Sequence, residues 1–270
     1  MAFVPLNDDH AVASCDFALA LSRPLPRSAI SELQSLAASL AAELPASAMV
    51  QPSDVDDAIV PIISNGAPGI ELAYLRPDGS PVWALRLINN EIFVSCTRYT
   101  RWEKSWDQAR SYLWQALAKL ALIKFEAAVA VIALRVVDRF SSNEDTAKID
   151  DLFQRHSWLP DPIFAGGPLW HNHSGWYSDH DSGPTLNNLN LTAQRVQDGQ
   201  GPARIVIDIV HRLQLRLRSS EILSQDSIQS IQAVIDQHMN DLHLNNKVVL
   251  HGLLQPVVLD RIGLKVTPNA

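Results

Sequence analysis

The chain has 270 residues, of which 47% are hydrophobic and 19% are charged, and its formal net charge is −7 at pH 7. This composition excludes an intrinsically disordered chain, and the negative charge disfavours nucleic acid as a partner. Only two cysteines occur, which excludes a disulfide-stabilised scaffold and fits a reducing compartment.

The sequence shows no sign of secretion or membrane insertion. The N-terminus lacks the basic region and long apolar run that mark a secretory signal. The most apolar stretch, residues 113–137, is interrupted by Lys119, Lys124, Glu126 and Arg135, so it predicts buried elements and not a membrane span. We therefore expect a cytoplasmic protein with no membrane partner.

The N-terminal part of the chain begins with a strand and a helix. Residues Val12 to Leu21 alternate between apolar and small or polar side chains, as in a half-buried strand. Apolar residues then recur at helical spacing from Ile30 to Leu44, and Pro45 ends the pattern. Residues 46–68 show little periodicity, which predicts a long surface connection.

A three-stranded meander is the clearest local prediction. The strand-like segments Ile70–Leu75, Val82–Ile88 and Ile92–Tyr99 are separated by turn sequences. A helix follows, with a capping box at residues 105–108, and Val129–Val137 is then predicted as a central strand.

The second half repeats this order after a break at residues 139–168. The segments Leu169–Ser178, Thr185–Val196 and Ala203–Leu217 predict three more strands, and a helix is predicted from Ser227 to Leu242. A short helix from Pro256 to Ile262 ends at Gly263.

The shared order predicts an α+β fold built from two antiparallel sheet units. Each unit is expected to be a three-stranded meander followed by a long covering helix, and the two are expected to be related by a pseudo-twofold. The predicted N-terminal half spans residues 1–140 and the C-terminal half spans residues 168–270. Residues 141–167 connect the halves, which are expected to pack as one globule.

Histidines concentrate in one short segment of the second half. On a strand, His171 and His173 would point to the same face, and a turn would bring His180, Asp179 or Asp181 alongside as a further metal ligand. A divalent metal held there would suggest a metal-dependent enzyme. The alternative is a polar sheet face whose opposite side buries Trp170 and Trp176.

Arginines alternate with leucines near the end of the third strand of this half. Arg212, Arg216 and Arg218 could form a stripe that binds phosphates of a nucleic acid. The alternative is a solvated strand face paired with carboxylates, which the acidic total charge favours.

Aromatic residues cluster around the start of the first long helix. Tyr99, Trp102 and Trp114 belong to the residue types that are enriched at protein interfaces, so they are candidate interface residues. The alternative is that Trp102 and Trp114 only cover the start of the helix. The sequence contains no complete phosphate-binding loop, nucleophile elbow, zinc-protease helix or dinucleotide fingerprint, so we expect a protein that is not an enzyme.

Three stretches, Ala84–Thr100 with Trp102, Val131–Phe140 and Ile235–Gly263, resemble a sporadically distributed family of bacterial proteins of unknown function. The resemblance supplies no catalytic residues. The patchy occurrence of this family is similar to that of genes for phage defence and for toxin or immunity systems, which implies a protein partner.

The sequence thus favours a non-catalytic protein-interaction module, expected to be a homodimer or to bind another protein. It would use a sheet face or the Tyr99–Trp114 aromatic region. The metal-dependent enzyme and the nucleic-acid-binding protein remain as alternatives.

Overall fold

The computed structural model describes residues 2–54, 58–144, 147–155, 158–197 and 202–264. Within these ranges the chain forms ten strands and five α-helices. The strands are β1 (Val4–Pro5), β2 (Val12–Leu21), β3 (Ala46–Val50), β4 (Gly69–Leu75), β5 (Pro81–Ile88), β6 (Glu91–Cys96), β7 (Val129–Ser142), β8 (Trp170–His180), β9 (Gly183–Val196) and β10 (Arg204–Arg216). The helices are α1 (Arg27–Leu40), α2 (Trp102–Leu122), α3 (Asp161–Ala165), α4 (Ile228–Leu253) and α5 (Pro256–Arg261).

All ten strands belong to one antiparallel sheet with the order β3-β4-β5-β6-β2-β7-β10-β9-β8, and β1 pairs with β7. The α+β class is therefore confirmed, but the prediction of two separate sheet units is wrong. Each half does contain its three-stranded meander, β4-β5-β6 or β8-β9-β10, with a long helix after it. The meanders are joined because β2 and β7 lie between them and pair with each other.

The pairing of β2 with β7 runs from Val12 opposite Asp138 to Leu21 opposite Val129. Both strands are apolar on both faces near their middle. Ala18 and Ala133 are opposite each other on one face and are fully buried, as are residues on the other face such as Phe17. A strand buried on both faces suits the centre of a sheet, because apolar side chains on both of its faces are then removed from water.

Most predicted elements are confirmed within a few residues. The predicted strand from Val12 to Leu21 has those bounds. Asn89 lies at φ 54° in the turn between β5 and β6, the left-handed conformation that a tight hairpin requires and that asparagine tolerates. Gly263 lies at φ 63° just after Ile262, the residue that caps α5, as expected for a glycine that ends a helix.

Several elements differ from the prediction, among them the short β1 and α3, which the sequence did not predict. The connection predicted at residues 46–68 contains strand β3, which has no alternating pattern of its own and forms by pairing with β4. Helix α2 begins at Trp102, before the predicted capping box, and Ser105 is buried inside it. Helix α4 continues to Leu253, because its second half covers an additional apolar cluster.

Helices α1, α2 and α4 pack on one face of the sheet. The main core lies beneath them and unites both halves: Phe17 of β2, Leu113 of α2 and Leu213 of β10 belong to one buried cluster. A second cluster lies under the end of α4 and α5 and includes Phe140 and Phe153. Burial of this apolar surface is the main force that holds the layers together.

Candidate functional site

The second face of the sheet, opposite the long helices, is covered only in part. Over the N-terminal strands, Ile59 and Val60 pack on a small cluster with members such as Phe93 and Ala133. Farther along the sheet the side chains are exposed, and Tyr177 of β8 keeps 63% of its surface accessible. We call the exposed side chains of β8 and β9 on this side the open face; they are His171, His173, Tyr177, Asp179, Asn190, Thr192 and Gln194.

Strand β8 forms one edge of the sheet. It stands last in the strand order and pairs with β9 in an uninterrupted register from Trp170 opposite Ala193 to His180 opposite Gly183. Exposed and half-buried residues alternate along nearly its whole length. Its inward side is fixed by Trp176, whose ring stacks on Trp158 with the centroids 4.0 Å apart.

The outer edge of β8 lacks the usual protection against strand pairing. Its eleven residues contain no proline, lysine or arginine, and its register with β9 contains no bulge. Within the described part of the chain, β8 shares backbone hydrogen bonds with β9 and with no other segment. The opposite edge, β3, is only five residues long and lies between Pro45 and Pro52. Short edges and prolines are the devices that normally prevent edge pairing, so β8 is available to a further strand.

The histidines predicted as metal ligands do not converge. His171 and His173 point to the open face as expected, because both are exposed and lie two residues apart on β8. His180 lies an odd number of residues from both, so it points to the other face of the strand. In the described ranges no three histidine, cysteine or acidic residues are close enough to hold a metal ion. The predicted three-histidine site is therefore wrong.

The arginine stripe lies next to the open face, and its first member, Arg212, is half-buried. Arg212 is directly opposite Arg135 of β7, and Arg135 donates a hydrogen bond to the buried carboxylate of Asp16 at 2.7 Å. Burial, together with the charge of Arg135, lowers the pKa of Arg212. Arg216 is exposed at the end of β10, facing the same side.

Arg218 of the predicted stripe and the nearby Arg139 form hydrogen bonds within the protein. Arg218 lies beyond the end of β10 and donates to the backbone carbonyl of Asp181 at 3.2 Å. Arg139 binds both carboxylate oxygens of Asp208, at 2.7 and 3.0 Å, and this pairing raises its pKa. The three predicted arginines thus do not form one continuous cationic stripe.

The predicted aromatic interface is buried at Trp102 and half-buried at Tyr99 and Trp114. Trp102 is only 8% exposed, its ring stacks on His243 of α4 at 3.9 Å, and its indole N–H donates to Asn240 at 2.8 Å. Tyr99 is half-buried with its ring edge against His10. Trp114 is half-buried and packs edge-on against Trp106 of the same helix. Trp102 joins α2 to α4, so it cannot act as a surface residue, whereas an interface role for the partly exposed Tyr99 and Trp114 stays a prediction.

Sequence reasoning missed the free edge of β8 and several buried titratable groups. Asp138, His211 and His243 are buried or nearly so, and burial is the first cause of the pKa shift at each of them. The local sequence carried no signal for them, because each is buried by elements that are distant in the chain.

No family model, curated protein or solved structure gives a significant match to this chain. The resemblance to the sporadic bacterial family, and the defence or immunity setting that it implies, therefore stay predictions. In the described residues, none of the helices combines the length and the hydropathy needed to cross a bilayer.

Proposed function

We propose that this chain is a non-catalytic protein-interaction module that forms a homodimer by pairing β8 with β8 of a second copy. The observation that carries the proposal is the unprotected outer edge of β8, eleven residues long. An added strand satisfies the outward N–H and C=O groups of such an edge, and side-chain pairs across the new ladder give specificity.

The sequence of β8 is complementary to itself in one antiparallel register. A twofold axis at Gly175 places His171 opposite the partner's Asp179 and His173 opposite the partner's Tyr177. All of these side chains are exposed on the open face. Opposite side chains in an antiparallel ladder lie roughly 5 Å apart, so each register partner is in contact range.

The pairs formed in this register are favourable ones. An imidazole and a carboxylate form a hydrogen bond or an ion pair, and an imidazole and a phenol ring stack or pack edge-on. Gly175 is opposite itself at the axis, so the rings on either side have room to meet. Because the axis duplicates every contact, each favourable pair occurs twice in the dimer.

The two alternative functions have less support. A metal-dependent enzyme at His171 and His173 would need a third ligand, and the described residues offer none. Nucleic-acid binding would need a continuous cationic face, whereas Arg212 is half-buried and Arg218 lies beyond the end of β10, bound to the backbone carbonyl of Asp181. Metal binding and nucleic-acid binding therefore stay alternative proposals.

We also propose that the module works in the cytoplasm. Cys15 and Cys96 are register partners on β2 and β6, both are buried, and both are free thiols. Two facing thiols that stay reduced suit a reducing compartment.

A charge-swap experiment tests the dimer. Sedimentation equilibrium should give about twice the 29.8 kDa chain mass for the wild type. His171→Asp would place two carboxylates opposite each other at both ends of the interface, so the dimer dissociation constant should rise by about tenfold or more. Combining His171→Asp with Asp179→Lys restores opposite charges in both pairs and should restore the wild-type mass.

Gln194→Asp is the matched control, because it adds a negative charge as His171→Asp does. Gln194 is exposed on the same face of β9 but beyond the end of the β8 ladder, so this variant should stay dimeric. A monomeric wild type at all accessible concentrations would contradict the proposal. So would a dimer whose dissociation constant is the same in the wild type, the single variant and the double variant.

A further inference from the structure

A polar cavity lies on the helix side of the sheet, away from β8. Its volume is about 240 Å³, and it is bounded by β2 and β7 at the sheet centre, by α4, by the start of α2 and by the end of α5. The wall contains the apolar side chains of Val136 and Leu250 and the polar side chains of Tyr99, His243 and Asn246. Cavities of this size with a few convergent polar groups are typical of binding sites for small molecules.

Asp138 of β7 contributes a carboxyl group to this cavity. The residue is only 3% exposed, and no hydrogen bond or ion pair from a described residue contributes to the pKa of its carboxyl group, which burial alone raises. A buried carboxyl without a partner destabilises the fold, whereas an apolar residue at the same position of a central strand would not. Such a group in a cavity indicates a ligand that completes its hydrogen bonding.

Asp138 is also the group in the cavity whose charge changes near neutral pH. Burial raises the pKa of Asp138 to about 7. Burial and the charge of Lys247 lower the pKa of His243 to about 3, and burial also lowers the pKa of His10, so both rings favour the neutral form. The titratable or charged groups around Asp138 from every side are His10, Cys15, Tyr99, Arg101, Glu103, His243 and Lys247.

The charged side chains of the lining balance when Asp138 is ionised. Arg101 and Lys247 are its positive residues, and Glu103 and Asp138 are its negative ones. Arg101 pairs with Asp9, outside the lining, at 3.0 Å, so its charge is compensated there. The Asp138 carboxylate has no cationic partner of its own among the described residues, and a cation in the cavity would supply one.

We infer that the cavity binds a small primary amine, whose ammonium group donates hydrogen bonds to the carboxylate of Asp138 while its apolar part packs on Val136 and Leu250. A charge-assisted hydrogen bond of this kind is stronger than one between neutral groups. The site is separate from the β8 edge, so this inference does not depend on the proposed dimer.

The size and the ligand set argue against other cations. Calcium and magnesium take six or more oxygen ligands, and the single carboxyl of Asp138 cannot supply them. In the described residues no metal-binding cluster occurs here or elsewhere. An engineered apolar cavity of roughly 150 Å³ holds benzene, so about 240 Å³ holds an amine with one ring or a short chain.

Calorimetric titration with benzylamine tests the inference, with benzyl alcohol as the uncharged probe of the same shape. Benzylamine should bind at least about tenfold more tightly than benzyl alcohol at pH 8. Its affinity should fall by about tenfold from pH 8 to pH 6, because Asp138 is largely ionised at the first pH and largely protonated at the second. Binding near pH 7 should release protons, measured by comparing buffers of different ionisation enthalpy.

The variant Asp138→Asn removes the charge at nearly constant shape. It should abolish the tenfold preference for benzylamine over benzyl alcohol and the pH dependence of benzylamine affinity. Asp241→Asn, an exposed carboxyl on α4 outside the cavity, is the control with the same change in net charge and should bind like the wild type. Equal affinity for the amine and the alcohol would overturn the inference. Binding of benzoate that is tighter than that of benzylamine and takes up protons would also overturn the inference, because the site would then be an anion site. These measurements use the wild type, so they decide the question even if Asp138→Asn does not fold.

Discussion

Asp138 shows how one buried residue couples stability to pH. In the unfolded chain its carboxyl has the ordinary pKa of 3.8, and in the folded protein burial raises the pKa to about 7. The folded state therefore holds the proton more tightly. The stability associated with the protonated carboxyl is fully present below pH 3.8 and is lost as the pH rises to about 7.

We predict that Asp138→Asn stabilises the protein at alkaline pH. A shift of about three pKa units corresponds to at most about 4 kcal/mol at pH 8, and the amide avoids this cost because it does not ionise. Urea unfolding at pH 5 and pH 8, at one protein concentration and without amine buffers, measures the effect. The advantage of the variant should grow by about 2 kcal/mol or more between these pH values; an unchanged difference would show that Asp138 does not titrate in this range.

His211 is a second residue whose protonation is changed by burial. Burial lowers the pKa of His211 to about 4, and its Nδ1 shares a hydrogen bond with Asn246 at 2.9 Å. Its Nε2 is buried without a partner among the described residues. The sequence directs attention to the dense His171–His180 segment, yet the histidines that burial perturbs most, His211 and His243, stand alone in the sequence.

At the scale of single elements, the β8–β9 hairpin depends on one glycine. Gly183 opens β9 at φ +146°, a backbone region that residues with a side chain rarely adopt. A Cβ atom at this position would overlap the backbone carbonyl oxygen of Arg216. The close approach of two backbones therefore fixes the residue type.

We predict that Gly183→Ala lowers the free energy of unfolding by about 3 kcal/mol or more, because it combines strain with a backbone clash. Gly79→Ala is the control: Gly79 also has a positive φ, at +84°, but no atom lies within 4 Å of the position that its Cβ would take. This control should lose only about 1 kcal/mol. Equal losses in urea unfolding would contradict the role of the Arg216 contact.

At the scale of the whole molecule, the β2–β7 pair makes the two halves one cooperative unit. The main core contains Phe17 from the first half and Leu213 from the second, and Leu134 of β7 lies between them in the same cluster. Neither half can unfold without exposing the apolar residues of the other. Single cooperative cores of this kind usually unfold in one step.

We predict that Leu134→Ala destabilises both halves equally, by about 2 to 5 kcal/mol. Native-state hydrogen exchange followed by mass spectrometry measures the two halves separately, with peptides from Pro81–Ile88 and Gly183–Val196 as reporters. Both should lose the same protection free energy. Loss confined to one half would mean that the halves unfold as independent units.

Local sequence patterns were enough to place most strands and helices along the chain. The alternation from Val12 to Leu21 and the turn at Asn89 depend on neighbouring residues only, so no knowledge of distant contacts was needed. The same reasoning showed that His171 and His173 share a face, because side chains two residues apart on a strand always do.

The way these elements combine could not be read from local patterns. Which strand lies beside β2, whether Trp102 is exposed, and whether Asp138 is solvated all depend on elements far away in the chain. Strand pairing is non-local, because the backbone hydrogen bonds between strands are alike for every sequence. The alternating pattern therefore predicts which face of a strand is buried, but it does not predict which strand lies beside it. The single sheet, its free β8 edge and the polar cavity therefore follow from the way the two halves pack together.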